Sequence, residues 1–190
     1  MADEEISRSF GWEDMFLPPD EDPRSQSSPV GERDTLVDYL HAYRQTLEVK
    51  CAGLDAEALA LRSVPPSDLS LLGLVRHLAD VERHWFRKVL AGEECPWLFR
   101  SADDRDGAFA DARPDAGAVA EAWAGWRAEV AFAERFVEEA PDLDITGVFP
   151  GEEDSQVTLR EVLVHMIEEY ARHCGHADLI RERIDGKVGQ

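Results

Sequence analysis

Apolar residues recur at intervals of three and four over four long stretches of the chain, and each stretch predicts one amphipathic helix. From Asp34 to about Cys51 the stripe is Leu36, Val37, Leu40, Tyr43, Leu47 and Cys51, with Gly53 placed to end it. A short connection with a single turn over Ala56 to Leu61 follows. Pro65-Pro66 then blocks continuation, because proline lacks the N–H and its ring clashes with the preceding turn. Ser67 and Ser70 are both candidate caps for the second helix, whose stripe of Leu71, Leu74, Val75, Leu78, Val81, Trp85 and Val89 ends near Gly92. The third helix is expected from about Asp115 to Glu139, with Val119, Trp123, Trp126, Val130, Phe132 and Phe136 facing inward and Pro141 closing it. Thr158-Leu159-Arg160-Glu161 is a capping box, and Leu159, Leu163, Met166, Ile167, Tyr170, Leu179 and Ile180 carry the fourth helix to Gly186.

What lies between these stripes decides the architecture. Residues 93–114 hold Pro96, Gly107, Pro114 and the run Asp103-Asp104-Arg105-Asp106, so they read as a long connection rather than an element. A tight turn would make helices two and three antiparallel neighbours, whereas a connection this long carries the chain back along the whole bundle. The segment through Pro150-Gly151 reads as a loop, and no strand pattern exceeds a few residues. Residues 1–31 contain Pro18, Pro19, Pro23 and Pro29, a Ser25-Gln26-Ser27-Ser28 run and eight acids, and predict an irregular N-terminal extension ahead of a bundle over 32–190. Its apolar patches, Phe10-Gly11-Trp12 and Met15-Phe16-Leu17, are candidates for docking on the bundle or on a second copy in a homodimer. The fold class expected is all-α, a four-helix bundle with a long crossover between helices two and three.

Charge narrows the partners. Asp plus Glu number 40 against 20 Lys plus Arg, a formal net charge of −20, which disfavours nucleic acid and anionic membrane surfaces as partners. No apolar run approaches the roughly 20 residues that span a bilayer, and the acidic start Met1-Ala2-Asp3-Glu4-Glu5 is unlike a signal peptide, so a cytoplasmic protein is expected. Three cysteines, Cys51, Cys95 and Cys174, are odd in number and widely spaced, which suggests neither a disulfide framework nor a cysteine zinc site.

The chemistry concentrates on the fourth helix. At about 100° per residue, His165, Glu169 and His173 step about 40° along one face, and His176 falls back onto the same narrow strip. Any two neighbours on that strip suit one divalent transition metal, which leaves His165/Glu169, Glu169/His173 and His173/His176 as candidate pairs. His77 supplies the candidate third ligand, a histidine among the leucines of helix two that needs a partner when buried. Asp80 and Glu168 are candidates to orient a histidine ring.

The segment Ser70-Leu-Leu-Gly-Leu-Val-Arg-His77-Leu-Ala-Asp-Val-Glu-Arg83, taken with His165-Met-Ile-Glu-Glu-Tyr-Ala-Arg-His173-Cys-Gly-His176-Ala-Asp-Leu-Ile-Arg181, resembles the DinB superfamily. Within it, the chain is most similar to the actinobacterial branch related to mycothiol-dependent S-transferases and maleylpyruvate isomerase. The resemblance covers about residues 33–186 and implies a DinB-like bundle with one histidine of helix two and two ligands of helix four around a metal. The commonest motif on helix four is His-x-x-x-His. Here Glu169 stands four before His173, as in the two-histidine, one-glutamate set of the mycothiol-dependent isomerase, so the resemblance assigns His77, Glu169 and His173 as metal ligands.

Three ligands leave a coordination position open, the mark of a catalytic site. The resemblance then implies one divalent ion, zinc before iron or nickel, with mycothiol or a similar low-molecular-weight thiol as co-substrate. The partners expected are that thiol and an electrophile, joined by transfer or isomerised by reversible addition. His165, His176 and Arg181 are candidates for substrate contact, Arg181 because it stands two turns beyond His173 and suits a carboxylate. Two other readings share the same site: a hydrolase using zinc-bound hydroxide, and a non-enzymatic metal-binding stress protein.

Overall fold

Three of the four long predicted helices begin at a side chain that satisfies one of their first free N–H groups, and the first begins at Gly31 without such a cap. The computed structural model describes residues 22, 24, 28–101, 103–149 and 151–189. Helix α1 (Glu32–Cys51) carries Glu32 and Asp34 in its first turn, where the helix dipole favours acids. The one-turn α2 (Ala56–Ala60) is capped by Asp55. Of the two candidate serines, Ser70 caps α3 (Leu71–Glu82), its hydroxyl accepting from the Gly73 N–H at 3.1 Å. A single turn, α4 (Gly107–Ala110), lies within the crossover that was expected to lack any element. Asp115 caps α5 (Ala116–Glu139), and the Thr158–Glu161 capping box opens α6 (Leu159–Asp185), which ends at Gly186 in the left-handed conformation.

Helix two departs from the simple prediction. After Glu82 the chain widens into a π-helix over Arg83–Leu90, with the Ala91 N–H reaching back five residues to the Phe86 carbonyl. A second departure follows α5. Strands β1 (Thr146–Phe149) and β2 (Glu152–Thr158) form an antiparallel hairpin where a loop was expected, with Gly151 at φ +84 in its turn. β1 is only four residues long and β2 begins with acids, so neither offers the apolar alternation that marks a strand. The hairpin is placed by its seat on the π-helix: a Cβ at Gly147 would lie 2.3 Å from the Val89 carbonyl oxygen, so only glycine permits that approach.

Side-chain pairs fix the helix directions. Glu32 pairs with Arg160 and Lys50 with Asp178, so α1 and α6 run parallel. Arg33 reaches the Ala140 carbonyl and Glu48 reaches Arg127, so α1 and α5 run antiparallel. His77 meets His173, Glu82 meets Tyr170 and Trp85 meets His165, so α3 and α6 run antiparallel. It follows that α3 and α5 are parallel, and a long crossover is what joins two parallel neighbours.

The core is leucine-rich, with Leu47, Leu71, Leu74, Leu78, Leu159, Leu163, Met166 and Tyr170 fully buried. On α5 the buried centre differs from the predicted aromatic stripe. It is Ala122, Trp126, Glu129, Ala133 and Val137, while Val119, Trp123, Val130, Phe132 and Phe136 pack half-buried along its edges. Small residues at the centre let α5 approach closely, and the flanking rings carry surface cations, Arg87 over Phe132 at 3.8 Å and Arg127 over Trp123 at 5.2 Å. On α6 Leu179 is exposed, and Ala177 and Ile180 take the inward positions.

One buried polar network ties all four long helices together. Arg44 of α1 donates two 2.8 Å hydrogen bonds to Glu82 of α3, Tyr170 of α6 donates to the same carboxylate at 2.8 Å, and Trp126 of α5 donates to the Tyr170 oxygen at 2.7 Å. Burial works against the Arg44 charge, but Glu82 outweighs it and raises the Arg44 pKa. Outside the bundle, Arg24 pairs with Asp22 and donates to the Thr46 hydroxyl at 2.9 Å. The two apolar patches of the N-terminal extension lie outside the described residues.

Candidate metal centre

The antiparallel crossing of α3 and α6 decides which part of the histidine strip meets His77. His77 and His173 lie with ring centroids 4.7 Å apart, edge to face, and Glu169 sits one turn before His173 on the same strip, its Oε2 3.4 Å from His173 Nε2. One ligand atom from each of His77, Glu169 and His173 falls within 4.8 Å of the others. The other two strip residues flank this group. His165 Nε2 is 3.5 Å from Glu169 Oε1, toward the π-helix, and His176 Nδ1 is 3.3 Å from His173 Nδ1 on the opposite side. The two rings of that last contact share one proton donor, which fixes the orientation of His173 and leaves its Nε2 toward the cluster.

The electrostatics suit a cation. Burial, reinforced by the nearby His173 and opposed by Glu169, pushes His77 down to about 4, so its imidazole is neutral and carries a free lone pair at neutral pH. The hydrogen bond from His173 holds the Glu169 carboxyl below its ordinary range against the cost of burial, so it is ionised. Burial and His173 also lower His176. Two imidazoles, that of His77 neutral, and one carboxylate oxygen are a donor set for a divalent transition metal.

Arg181 stands apart from this group. Its side chain is 2% exposed, and it donates to the Lys50 and Ala52 carbonyls at 2.8 Å each and pairs with Asp185. It thereby satisfies the free carbonyls at the end of α1, a role set by a helix remote in sequence. Asp80 orients no histidine either. Its buried carboxylate accepts the N–H groups of Leu98, Phe99 and Arg100 at 2.6, 3.1 and 3.1 Å and so pins the crossover against α3 one turn after His77. Glu168 is exposed.

Several site neighbours carry no local signature. Phe109, from the turn within the crossover, lies 5.2 Å from the His77 ring. Trp85 covers His165 at 4.6 Å and is itself met by Phe149 of the hairpin at 5.5 Å. Trp85 and Phe149 belong to elements that the sequence pattern did not announce, the π-helix and the hairpin. Cys174 and Cys51 are buried, and burial pushes each thiol up to about 12, so neither offers a thiolate to this site.

Acid should loosen the structure in a defined window. His84, beside Trp85, is pushed down to about 4 by burial, with Arg100, Lys88 and His165 adding to the effect, and His77 behaves alike. An unfolded histidine takes up its proton near 6.5, so between about pH 6.5 and 4 the unfolded state binds more protons. Stability is therefore full above 6.5 and lost as pH falls toward 4. Thermal unfolding of chelator-treated protein should show this decline, and His84→Phe should flatten it; an identical slope in that variant would exclude His84 as a source.

A family model described as mycothiol-S-transferase matches residues 35–186, which takes in all four long helices and every residue of the cluster. No curated protein and no solved structure matches the chain. Among the described residues, no helix is long and apolar enough to cross a membrane.

Proposed function

The chain belongs to the mycothiol-S-transferase family, a DinB-like family, and from that premise we propose that it is a metal-dependent enzyme that activates a mycothiol-like thiol for transfer to an electrophilic small molecule. The observation that carries this reading is the convergence of His77, Glu169 and His173 within 4.8 Å. The residues fit a divalent ion, zinc first, because His77 is neutral, Glu169 is held as a carboxylate and one ligand atom from each of the three residues converges on one region. A cation held there supplies the positive charge that ionises a bound thiol at neutral pH.

The chain's own groups do the rest. His77 and His173 contribute ring nitrogens from two different helices, so the site exists only when α3 and α6 are in register. Glu169 contributes negative charge and, through its second oxygen, holds His165 at 3.5 Å. His165 is partly exposed and lies beside the cluster, where it can take the proton that a thiol loses on binding and pass it to water. His176 holds the His173 ring from behind. Phe109 lies against His77 and Trp85 against the neighbouring His165, and this apolar surface beside the cluster favours an organic thiol over hydroxide. Cys174 and Cys51 are buried with raised pKa and do not serve as the nucleophile, a role that falls in this reading to an external thiol.

Consumption of an electrophile by the metal-loaded protein should rise with thiol concentration and be absent without thiol. Turnover that proceeds without thiol and is inhibited by it would overturn the reading in favour of a hydrolase.

A further inference from the structure

Three side chains gather on the indole of Trp97, at the start of the crossover segment that Asp80 pins. His84 stacks on it with centroids 5.3 Å apart, Lys88 Nζ lies 4.3 Å from its centre, and the Arg100 guanidinium carbon lies 3.5 Å from it. Cation–π attraction explains why the two cations rest there, but it supplies no counter-charge. Among the described residues no carboxylate lies within salt-bridge distance of Lys88 or Arg100, whereas Arg83 and Arg87 on the same π-helix are both bound to Glu129. The acid whose field reaches Arg100, Asp80, is committed to three backbone N–H groups. In a chain with 40 acids and 20 lysines and arginines, cations are the scarce charge, and two left unpaired on one ring are not expected from composition. Burial of Arg100 adds to the cost of holding its charge without a counter-ion. His84 Nδ1, buried between the same rings, also has no hydrogen-bond partner.

The cluster borders open space that a row of packed side chains connects to the metal centre. Lys88 lines a cavity of about 640 Å³ between the π-helix, the first residues of the crossover and the hairpin, with Phe149 as part of its wall. Phe149 meets Trp85, Trp85 meets His165, and His165 meets Glu169. Arg100 is near enough to His77 for its charge to act on that ring. Among the described residues the cavity's acids do not cancel this charge, since Glu93 is held by Arg87 and Glu94 is exposed at the rim. A volume of this size takes a small organic molecule.

We propose that Lys88 and Arg100, gathered on Trp97, form the acceptor half of the site and select flat, anionic electrophiles, the anion held by Lys88 and Arg100 and the conjugated or aromatic body lying in the adjoining cavity against Phe149. The role as acceptor site rests on the thiol-transfer reading; the preference for an anion does not. A carboxylate replaces the missing counter-charge with charge-assisted hydrogen bonds, and the guanidinium fork suits it bidentately.

The test uses the full-length protein as purified, titrated calorimetrically with 2-naphthoate and with the isosteric neutral 2-naphthamide, before and after chelator treatment. The naphthoate should bind on the order of tenfold or more tightly than the amide in both preparations. R100Q and K88Q should each remove most of that preference without changing amide binding, and R100K should retain part of it. Equal affinity for the two probes, or a preference untouched in both glutamine variants, would overturn the proposal. So would a preference that vanishes on chelation, since the anion would then be read by the metal. A preference that survives in protein found to bind no metal and to consume no thiol would uphold the anion site while removing the thiol-transfer reading.

Discussion

Replacing His77 with alanine is expected to abolish metal retention while leaving the helices in place. Losing a partner that merely orients a ligand typically costs about 10–100-fold in metal affinity, so removing a ligand outright should exceed about 100-fold. The fold should survive, because α3 is held independently by Leu71, Leu74 and Leu78, all fully buried, and by the Glu82 network. His176→Ala should fall within the 10–100-fold range, since it touches only the far nitrogen of His173. Elemental analysis after dialysis, with helical content followed by circular dichroism, checks both. Undiminished metal in the His77 variant would remove His77 from the ligand set.

The second large effect concerns stability. Glu82→Ala should destabilise the protein by about 3–5 kcal/mol, because it strips the buried Arg44 of its counter-charge and leaves the Tyr170 hydroxyl without its acceptor. Arg44→Leu combined with Glu82→Leu should recover much of that loss, since an apolar replacement of the whole pair leaves no charge uncompensated. Urea denaturation of the single and double variants gives the coupling directly. Additive losses would mean that the two residues act independently and that the network does not tie the helices as described.

The helices were legible in the sequence because each has a repeating apolar face, and α3 and α6 also have a recognisable cap. Even so, the stripe on α5 was centred on its large residues, whereas packing against the neighbouring helices places Ala122 and Ala133 at the centre. The hairpin escaped notice because β2 is polar and draws its position from the close seat of Gly147 on Val89, a contact between segments far apart in the chain. Nothing in Arg83-His84-Trp85-Phe86 announces a π-helix. The histidine strip was plain from spacing, but spacing did not choose among its three ligand pairs. That choice came from the resemblance to the DinB superfamily, and physically it depends on the antiparallel crossing of α3 and α6, which only the tertiary contacts define. The contacts of Arg181 are illegible for the same kind of reason. Its carbonyl partners belong to the end of α1, about 130 residues earlier, and no local pattern predicts a cap supplied from that distance.

The central claim is that His77, Glu169 and His173 together hold a divalent ion open to a thiol. Cobalt-substituted protein tests it most directly, because a thiol that ionises on binding gives a sulfur-to-metal charge-transfer band in the near ultraviolet and releases a proton to the solvent. Titration with mycothiol should produce that band with saturation and about one proton released per thiol bound, and His77→Ala should abolish both. A cobalt spectrum that stays unchanged at thiol concentrations supporting electrophile consumption would contradict the account.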